Sequence, residues 1–497
     1  MKSNITFKTT TGNYYLYNRN IQTLLLTHPL IHYFIKLENN NIKIDDNILK
    51  NNIHINGIGE FNEKDIKYYY KKYLFLKNKN ILNKLYFQKR CNYNNINKYL
   101  LKSLFANCDN IVFEVTEKCN LNCLYCGYGE NYDWYEKRNN SDLSLNKAIT
   151  FLDYYFKFSE SHLSKSYKKD VTIGFYGGEP LLNFTFIKNI VEYVSKLSLK
   201  RTNVKFGMTT NGLLIKKYFN FIKMHDFKLL VSLDGNKKHN SYRVYKNDKT
   251  SFDDVMRNIN YIKNNYPDFY LKNIKFNSVL TNKSNVSDIY NFFKNTLNKS
   301  TSIMEITTEG IKQSKKSEFL KIYKNYSESI MQSENYSNIE KQKLLELPTS
   351  VELTSFIRNS LFSYKTYKSL LYEKHNQKNH GMTASCIPFS FKIFITADGN
   401  ILPCENVKHK YSLGYITEKK VFIDFEKESD KYLSYLNSIK KQCFNCYFQT
   451  DCQQCLYYLD MESNPKCAGY TDKIEDYETF LSSRVKLLER NPETYFE

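Results

Sequence analysis

Cys119, Cys123 and Cys126 stand at spacing C-x3-C-x2-C in the stretch Cys119-Asn120-Leu121-Asn122-Cys123-Leu124-Tyr125-Cys126. Thiolates are soft ligands that suit iron–sulfur clusters, zinc and copper(I). A zinc site usually closes with four ligands, supplied in C-x2-C pairs. Three thiolates on one short loop instead suit three irons of a cubane and leave the fourth iron open. A second group of seven cysteines lies downstream: Cys386, Cys404, Cys443, Cys446, Cys452, Cys455 and Cys467. Its spacing is C-x12-G-x4-C, then C-x2-C-x5-C-x2-C, then a last cysteine. Repeated C-x2-C is also a zinc-ribbon signature. Cys91 and Cys108 are left over and read as small hydrophobes.

These residues need elements to position them. From about residue 106 to 310, strand-like runs alternate with amphipathic segments. The strands are expected at 111–116, 171–176, 204–209, 228–233, 274–280 and 303–308. Phe186, Ile187, Ile190, Val191 and Val194 mark one covering helix, and Val255, Ile259 and Ile262 another. Six β/α units in series imply a parallel sheet with helices over it, an open or partial barrel. Functional groups in such folds sit on loops at the strands' C-terminal ends. The cysteine loop follows the first strand, as that rule requires. Tyr176-Gly177-Gly178-Glu179-Pro180 follows the second and Thr209-Thr210-Asn211-Gly212 the third. Ser232-Leu233-Asp234-Gly235, with His239 and Arg243 after it, follows the fourth. The two glycines allow close backbone approach to a ligand, and Glu179 can accept hydrogen bonds from an ammonium group.

This ordered set resembles the radical S-adenosylmethionine (SAM) superfamily. The resemblance implies that the open iron takes the amino and carboxylate groups of SAM. It implies that Gly177, Gly178 and Glu179 hold the methionine amino group, and that Ser232 and Arg243 contact SAM. Tyr125 matches the aromatic position beside the adenine, and Asn211 is carried over as a cofactor-binding residue. The second cysteine group resembles the SPASM domain of radical SAM enzymes that act on peptides and proteins, which holds two auxiliary [4Fe–4S] clusters. Carried over, Cys386, Cys404 and Cys455 hold the first, and Cys443, Cys446, Cys452 and Cys467 the second. The family's last close pair has three intervening residues, where this chain has Gln453-Gln454. The family's sulfatase-maturing enzymes supply a further cysteine a few residues after the first, and Ile387 to Ala397 contains none, so the first set has three members and its fourth iron is open, bound by another residue, or bound by substrate. Glu405 matches the family's acidic residue after the second SPASM cysteine. It is expected to be a catalytic base near the peptide channel or to complete that cluster.

The fold class expected is α/β: a partial (β/α)6 TIM-like radical SAM barrel over 106–310, with a small α+β domain at 1–105. A helical connector at 311–380, a SPASM domain at 381–470 and a C-terminal helix at 471–497 complete it. In the N-terminal domain, Gly12-Asn13 separates Ile5–Thr10 from Tyr14–Asn18, a hairpin signal. Thr27 or His28 caps one helix, and Asn62 another carrying Ile66, Tyr69, Tyr70 and Tyr73. Hairpin then helices is similar to the leader-peptide recognition elements of peptide-modifying enzymes, which bind a peptide as an added strand. The alternative is a structural cap on the barrel. The connector shows helical patterning at Phe319, Leu320 and Tyr323 and again from Ile339 to Leu347. In the SPASM region, Asp398-Gly399 is expected to turn a hairpin between Lys392–Thr396 and Asn400–Pro403.

Net charge is +21 over 497 residues, but no block of five or six like charges appears, so the charge reads as a Lys-rich bias rather than a nucleic-acid face. No apolar run is long enough to span a membrane, and the start lacks a signal-peptide core. Twelve cysteines without an export signal read as ligands in the cytosol, not disulfides. The expected function is a radical SAM peptide maturase that cleaves SAM reductively and takes a hydrogen atom from a ribosomally made precursor peptide, installing a cross-link such as a thioether or C–C bond. Flavodoxin or ferredoxin would donate the electron. A sulfatase-maturing, formylglycine-generating enzyme is the first alternative, a non-catalytic iron–sulfur protein the second and an RNA-modifying radical enzyme the third.

Overall fold

The computed structural model describes residues 2–19, 23–79, 81–82, 96–129, 131–133, 138–165, 168–308, 310–332, 386–452, 454–459, 461 and 465–490. Cys91 and the second helical pattern of the connector, Ile339 to Leu347, lie outside the described residues. The chain divides into two compact units. One comprises Met1–Tyr93, Lys341–Ser385 and Leu436–Glu497; the other comprises Asn94–Glu340 and Cys386–Tyr435.

The first unit is built on strands β1 (Asn4–Lys8), β2 (Tyr14–Asn18) and β3 (Thr23–Thr27) in that order, all antiparallel. Gly12, at φ +101°, makes the turn between β1 and β2, with its N–H bonded to Thr9 O at 3.0 Å. The third strand was not anticipated, because Thr23-Leu24-Leu25-Leu26-Thr27 is an apolar run without alternation. Helix α1 (Pro29–Asn39) is capped by His28, whose Nδ1 accepts from Leu30 N at 3.3 Å. Helices α2 (Asp46–Lys50) and α3 (Glu63–Asn78) follow, with a short hairpin between them, Ile53–Ile55 and Gly59–Phe61. Asn62 caps α3 through Asp65 N at 3.0 Å.

Alternation along β2 decides what covers the sheet. Leu16 points to a core with Leu30, Phe34, Ile66 and Tyr73 of α1 and α3. Tyr17, one residue on, points to the opposite face. There, with Ile5 and Phe7, it meets Tyr477, Leu481 and Val485. These three lie on the C-terminal helix Ile474–Arg490, so the last helix closes the first sheet. Glu489 secures the join by accepting from Thr9 Oγ1 at 3.0 Å, Asn13 Nδ2 at 2.7 Å and Tyr15 OH at 2.8 Å, and from Thr11.

The second unit carries the parallel sheet. Its strands are β4 (Asn110–Thr116), β5 (Lys169–Gly177), β6 (Thr202–Thr210), β7 (Lys228–Ser232), β8 (Ile274–Leu280) and β9 (Thr301–Glu305), in sequence order across the sheet. The last strand starts two residues before the expected 303 and ends at Glu305, because its register with β8 begins at Phe276↔Thr301. Helices α4 (Leu145–Ser159), α5 (Phe184–Ser195), α6 (Ile215–Met224) and α7 (Phe252–Asn265) lie between strands. The five residues expected on one face of α5, Phe186 to Val194, are all buried. This is the expected α/β class with a parallel-dominated sheet.

The sheet does not stop at β4. Strand β10 (Ile393–Ile395) joins β4 in parallel, pairing Ile393↔Ile111 through Ile395↔Phe113. Strands β11 (Asn400–Leu402), β12 (Gly414–Ile416) and β13 (Val421–Phe422) continue it antiparallel. Gly399, at φ +93°, turns β10 into β11. The downstream hairpin is therefore an extension of the barrel sheet.

Candidate functional site

The cysteine loop leaves β4 and is held by main-chain bonds on two sides. Asn122 N donates to Val244 O at 2.8 Å, and Leu124 N to Tyr242 O at 3.1 Å. Within the loop, Cys126 N donates to Cys123 O at 3.1 Å, and Leu121 N to Cys119 Sγ at 3.5 Å. On the other side, Gly178 N donates to Thr116 O and Glu179 N to Lys118 O, both at 2.8 Å. A Cβ on Gly177 would lie 2.3 Å from Thr116 O, and one on Gly178 2.1 Å from Lys118 O. The glycines therefore admit the loop's own backbone as it enters Cys119.

The three thiols share one environment. Burial pushes Cys123 up to about 12, offset in part by Arg243 and reinforced by Cys126, Asp234 and Cys119. Burial also raises Cys119, which feels Glu179 and Cys126. Cys119 and Cys123, each raised by burial and by its neighbouring cysteines, resist ionising unless cations join them. That is the chemistry of a metal-cluster ligand set. Among the described residues no three Cys, His, Asp or Glu side chains close on a single ion. A cubane asks for something wider, since each thiolate binds its own iron.

Glu179 is fully buried at the end of β5. Its carboxylate accepts from Thr210 Oγ1 and Asn211 N at 2.8 Å each, and from Leu181 N at 3.2 Å. Burial raises it to about 7, against the lowering effect of these bonds. Asn211 in turn donates to Asn120 Oδ1 at 2.7 Å and lies 4.0 Å from Cys119 Sγ. The ends of β5 and β6 thus fasten to the cysteine loop.

Asp234 organises the other flank, a role the sequence reading did not assign. It has no solvent exposure. It accepts from Tyr125 OH, from Arg243 Nε at 3.2 Å and from Val279 N at 3.0 Å. The Arg243 guanidinium lies 5.7 Å from the Tyr125 ring. The expected adenine-side aromatic and the expected SAM-contact arginine are therefore tied through one carboxylate. The signal was in the sequence, as the Asp of Ser-Leu-Asp-Gly. Ser232 ends β7, half-buried.

Glu405 sits after β11, its carboxylate paired with Lys392 Nζ at 2.7 and 2.8 Å. It lines a small cavity with Glu114, Tyr128, Arg138 and Phe394. Arg138 pairs with Glu114 at 2.8 Å and stacks 3.4 Å above the Tyr128 ring. The nearby Tyr176 is raised chiefly by burial, then by Glu405 and Cys126. Glu405 and the cysteine loop thus act on one tyrosine. Sequence reasoning missed Lys392, Arg138 and Glu114, whose partners are remote in the chain.

In the first unit, Cys443, Cys446, Cys452 and Cys467 line one cavity with Ile439, Phe448 and Leu459. Gln442 ties the last segment down, donating to Pro465 O at 2.5 Å and accepting from Cys467 N at 3.1 Å. Burial raises the Cys467 thiol, and Cys452 and Cys446 add to it. Four soft donors on an apolar wall fit an iron–sulfur cluster. Of the other expected set, Cys386 and Cys404 belong to the second unit and Cys455 to the first. Cys108 is buried, its thiol pushed up to about 12 by desolvation.

Residues 113–295 match the family model described as the radical SAM superfamily. The chain is 28% identical over 392 residues to a cysteine-type anaerobic sulfatase-maturating enzyme of Clostridium novyi, covering 76% of this chain and 95% of that protein. It is 34% identical over 177 residues to the uncharacterized protein MJ0907 of Methanocaldococcus jannaschii, spanning 35% of this chain and about half, 54%, of that one. It is 28% identical over 187 residues to the radical SAM cyclopropyl synthase TigE of Paramaledivibacter caminithermalis, 36% of each chain. Among solved structures it resembles native anSMEcpe with bound AdoMet and Kp18Cys peptide, at 18% identity and TM-score 0.49, covering 76% of this chain and 98% of that one.

The glycine contacts yield a direct test. Gly178→Ala forces a methyl against a main-chain oxygen that cannot rotate away. It is expected to cost about 2 kcal/mol or more of stability and to lower the iron retained at Cys119, Cys123 and Cys126 after reconstitution. Wild-type iron content together with a wild-type unfolding midpoint would remove this role for the glycine.

Proposed function

Because residues 113–295 form a domain of the radical SAM superfamily, we propose that this protein is a radical SAM peptide maturase of the SPASM type. Cys119, Cys123 and Cys126 would hold the SAM-binding [4Fe–4S] cluster, and the cavity of Cys443, Cys446, Cys452 and Cys467 an auxiliary one. Cys386, Cys404 and Cys455 would serve a second auxiliary cluster. When bound, the cluster and SAM supply a 5′-deoxyadenosyl radical able to take a hydrogen atom from a peptide.

The chain's own residues bind and orient. Glu179 is a buried carboxylate whose described partners are neutral donors, so the SAM ammonium is a fitting cation for it. Asp234 ties Tyr125 to Arg243, and these two with Ser232, Asn211, Gly177 and Gly178 would contact SAM. Glu405, paired with Lys392 Nζ, is suited to take a proton from the substrate. The single observation that carries the reading is the gathering of the ends of β4 to β7 around three half-buried thiols.

A ribosomally made precursor peptide fits the N-terminal sheet. Strand β3 lies at its edge, and Leu26 is 67% exposed. An edge strand offers main-chain groups to an added peptide strand. The electron donor would be a flavodoxin or ferredoxin. No helix among the described residues is long and apolar enough to cross a membrane, and cysteines serving as metal ligands suit a reducing cytosol. Formylglycine generation on a sulfatase is the second reading, favoured by the match to 95% of the Clostridium novyi enzyme and by Glu405.

Three cubanes require about twelve irons per chain after anaerobic reconstitution. Changing Cys119, Cys123 and Cys126 together to Ala is expected to remove about four of them and abolish SAM cleavage. Zinc without iron in anaerobically purified protein would sink the proposal. Glu405→Gln keeps the shape and removes the charge. It is expected to cleave SAM as before yet yield at least about tenfold less modified peptide, on the usual worth of a general base. Wild-type yield would move Glu405 out of the chemistry. Leu26→Asp, on the sheet edge, is expected to weaken precursor binding by about tenfold, near 1.4 kcal/mol, without changing peptide-independent SAM cleavage. Unchanged binding measured by fluorescence anisotropy would argue against the edge as the docking strand.

A further inference from the structure

The N-terminal sheet and the second cysteine group meet at one side chain. Arg19 follows β2 directly, and its N–H bonds Ser3 O at 2.9 Å, so the β1–β2 register fixes its backbone. It is 3% exposed. Its Nη2 donates to Cys446 O at 3.1 Å and to Tyr447 O at 2.9 Å. The guanidinium lies 5.0 Å from the Tyr447 ring and 5.6 Å from the Tyr477 ring. An N-terminal cation is thus pressed against the main chain of a thiol-bearing turn. Tyr447 is itself held, its N–H bonded to Thr471 O at 2.9 Å.

A neutral amide can donate to carbonyls, whereas a guanidinium stays charged and is costly to bury. The charge does have a use beside an iron–sulfur cluster, whose reduction adds negative charge. Nearby charge and hydrogen bonding are what set such a cluster's potential.

We propose that Arg19 is a positioning residue that raises the reduction potential of an iron–sulfur cluster held by Cys443, Cys446, Cys452 and Cys467. This rests on the reading that those four cysteines hold a cluster. The N-terminal sheet, which lies outside the 113–295 family segment, thereby also controls how readily that cluster is reduced. Arg19 touches no reacting atom in this role; it acts through the Cys446–Tyr447 main chain.

The test uses full-length, anaerobically reconstituted protein, with iron counted and each cluster titrated by electron paramagnetic resonance. The signal that disappears when all four cysteines become Ala identifies the cluster. Arg19→Gln keeps a donor and removes the charge, and is expected to shift that signal's midpoint to a more negative potential at unchanged iron. Arg19→Lys keeps the charge and is expected to stay near wild type. An unshifted Arg19→Gln overturns the proposal, as does an equal shift in both variants, which would assign the effect to geometry. If Arg19→Gln loses the cluster, Arg19→Lys decides: retained iron and potential support the role of the charge, and the same loss overturns it. Equal iron in wild type and in the four-cysteine variant would instead overturn the underlying reading, whatever Arg19 does.

Discussion

Three cysteines on a loop could hold a cluster only if the loop's backbone cannot drift, and here backbone is held against backbone. The chain leaves β4 at Thr116 and is caught at once by the N–H groups of Gly178 and Glu179. The approach is so close that no side chain fits on either glycine. The loop's far side is caught by the carbonyls of Tyr242 and Val244. Main-chain bonds of this kind do not depend on rotamers, so the loop is set before any ligand arrives. Parallel strands are what bring these partners to one edge.

Around that frame the chain buries charge where charge has a use. Asp234 and Arg243 form a buried pair, with Asp234 at no exposure. Breaking such a pair by removing one partner typically costs about 3–5 kcal/mol, because the other is left uncompensated. The pair also carries Tyr125 on the loop, so the same electrostatic energy that stabilises it orients a residue between Cys123 and Cys126. Glu179 is buried among neutral donors, and burial raises it. It gains stability as an anion when a cationic ligand group joins it. Glu405 differs, since Lys392 already satisfies both its oxygens.

The cysteine-rich region is divided between two structural settings. Its first hairpin completes the barrel sheet beside β4, where pairing supplies the hydrogen bonds that an edge strand would lack. Its later cysteines belong with the N-terminal sheet and the last helix. Glu489 at one end and Arg19 at the other join the first strands to the chain's last hundred residues. An N-terminal segment and a C-terminal cysteine group are thus parts of one core.

The sequence by itself determined the edge that carries the candidate site. Local periodicity revealed five of the six parallel strands closely, because a strand or helix writes its pattern within a few residues. Gly177-Gly178, Asn211 and Ser-Leu-Asp-Gly were legible because turns at strand ends need particular residue types next to one another. The sixth strand starts two residues and ends three residues before the expected 303–308, because its ends are set by register with β8, which no local pattern contains. Only the tertiary structure decided that β10 pairs with β4, that Glu405 meets Lys392, that Asp234 joins Tyr125 to Arg243, and that Arg19 reaches Cys446. Each joins groups through the burial of a charge or the closure of a sheet. Such pairings depend on which surfaces the folded chain brings together, and one strand of text carries no record of that.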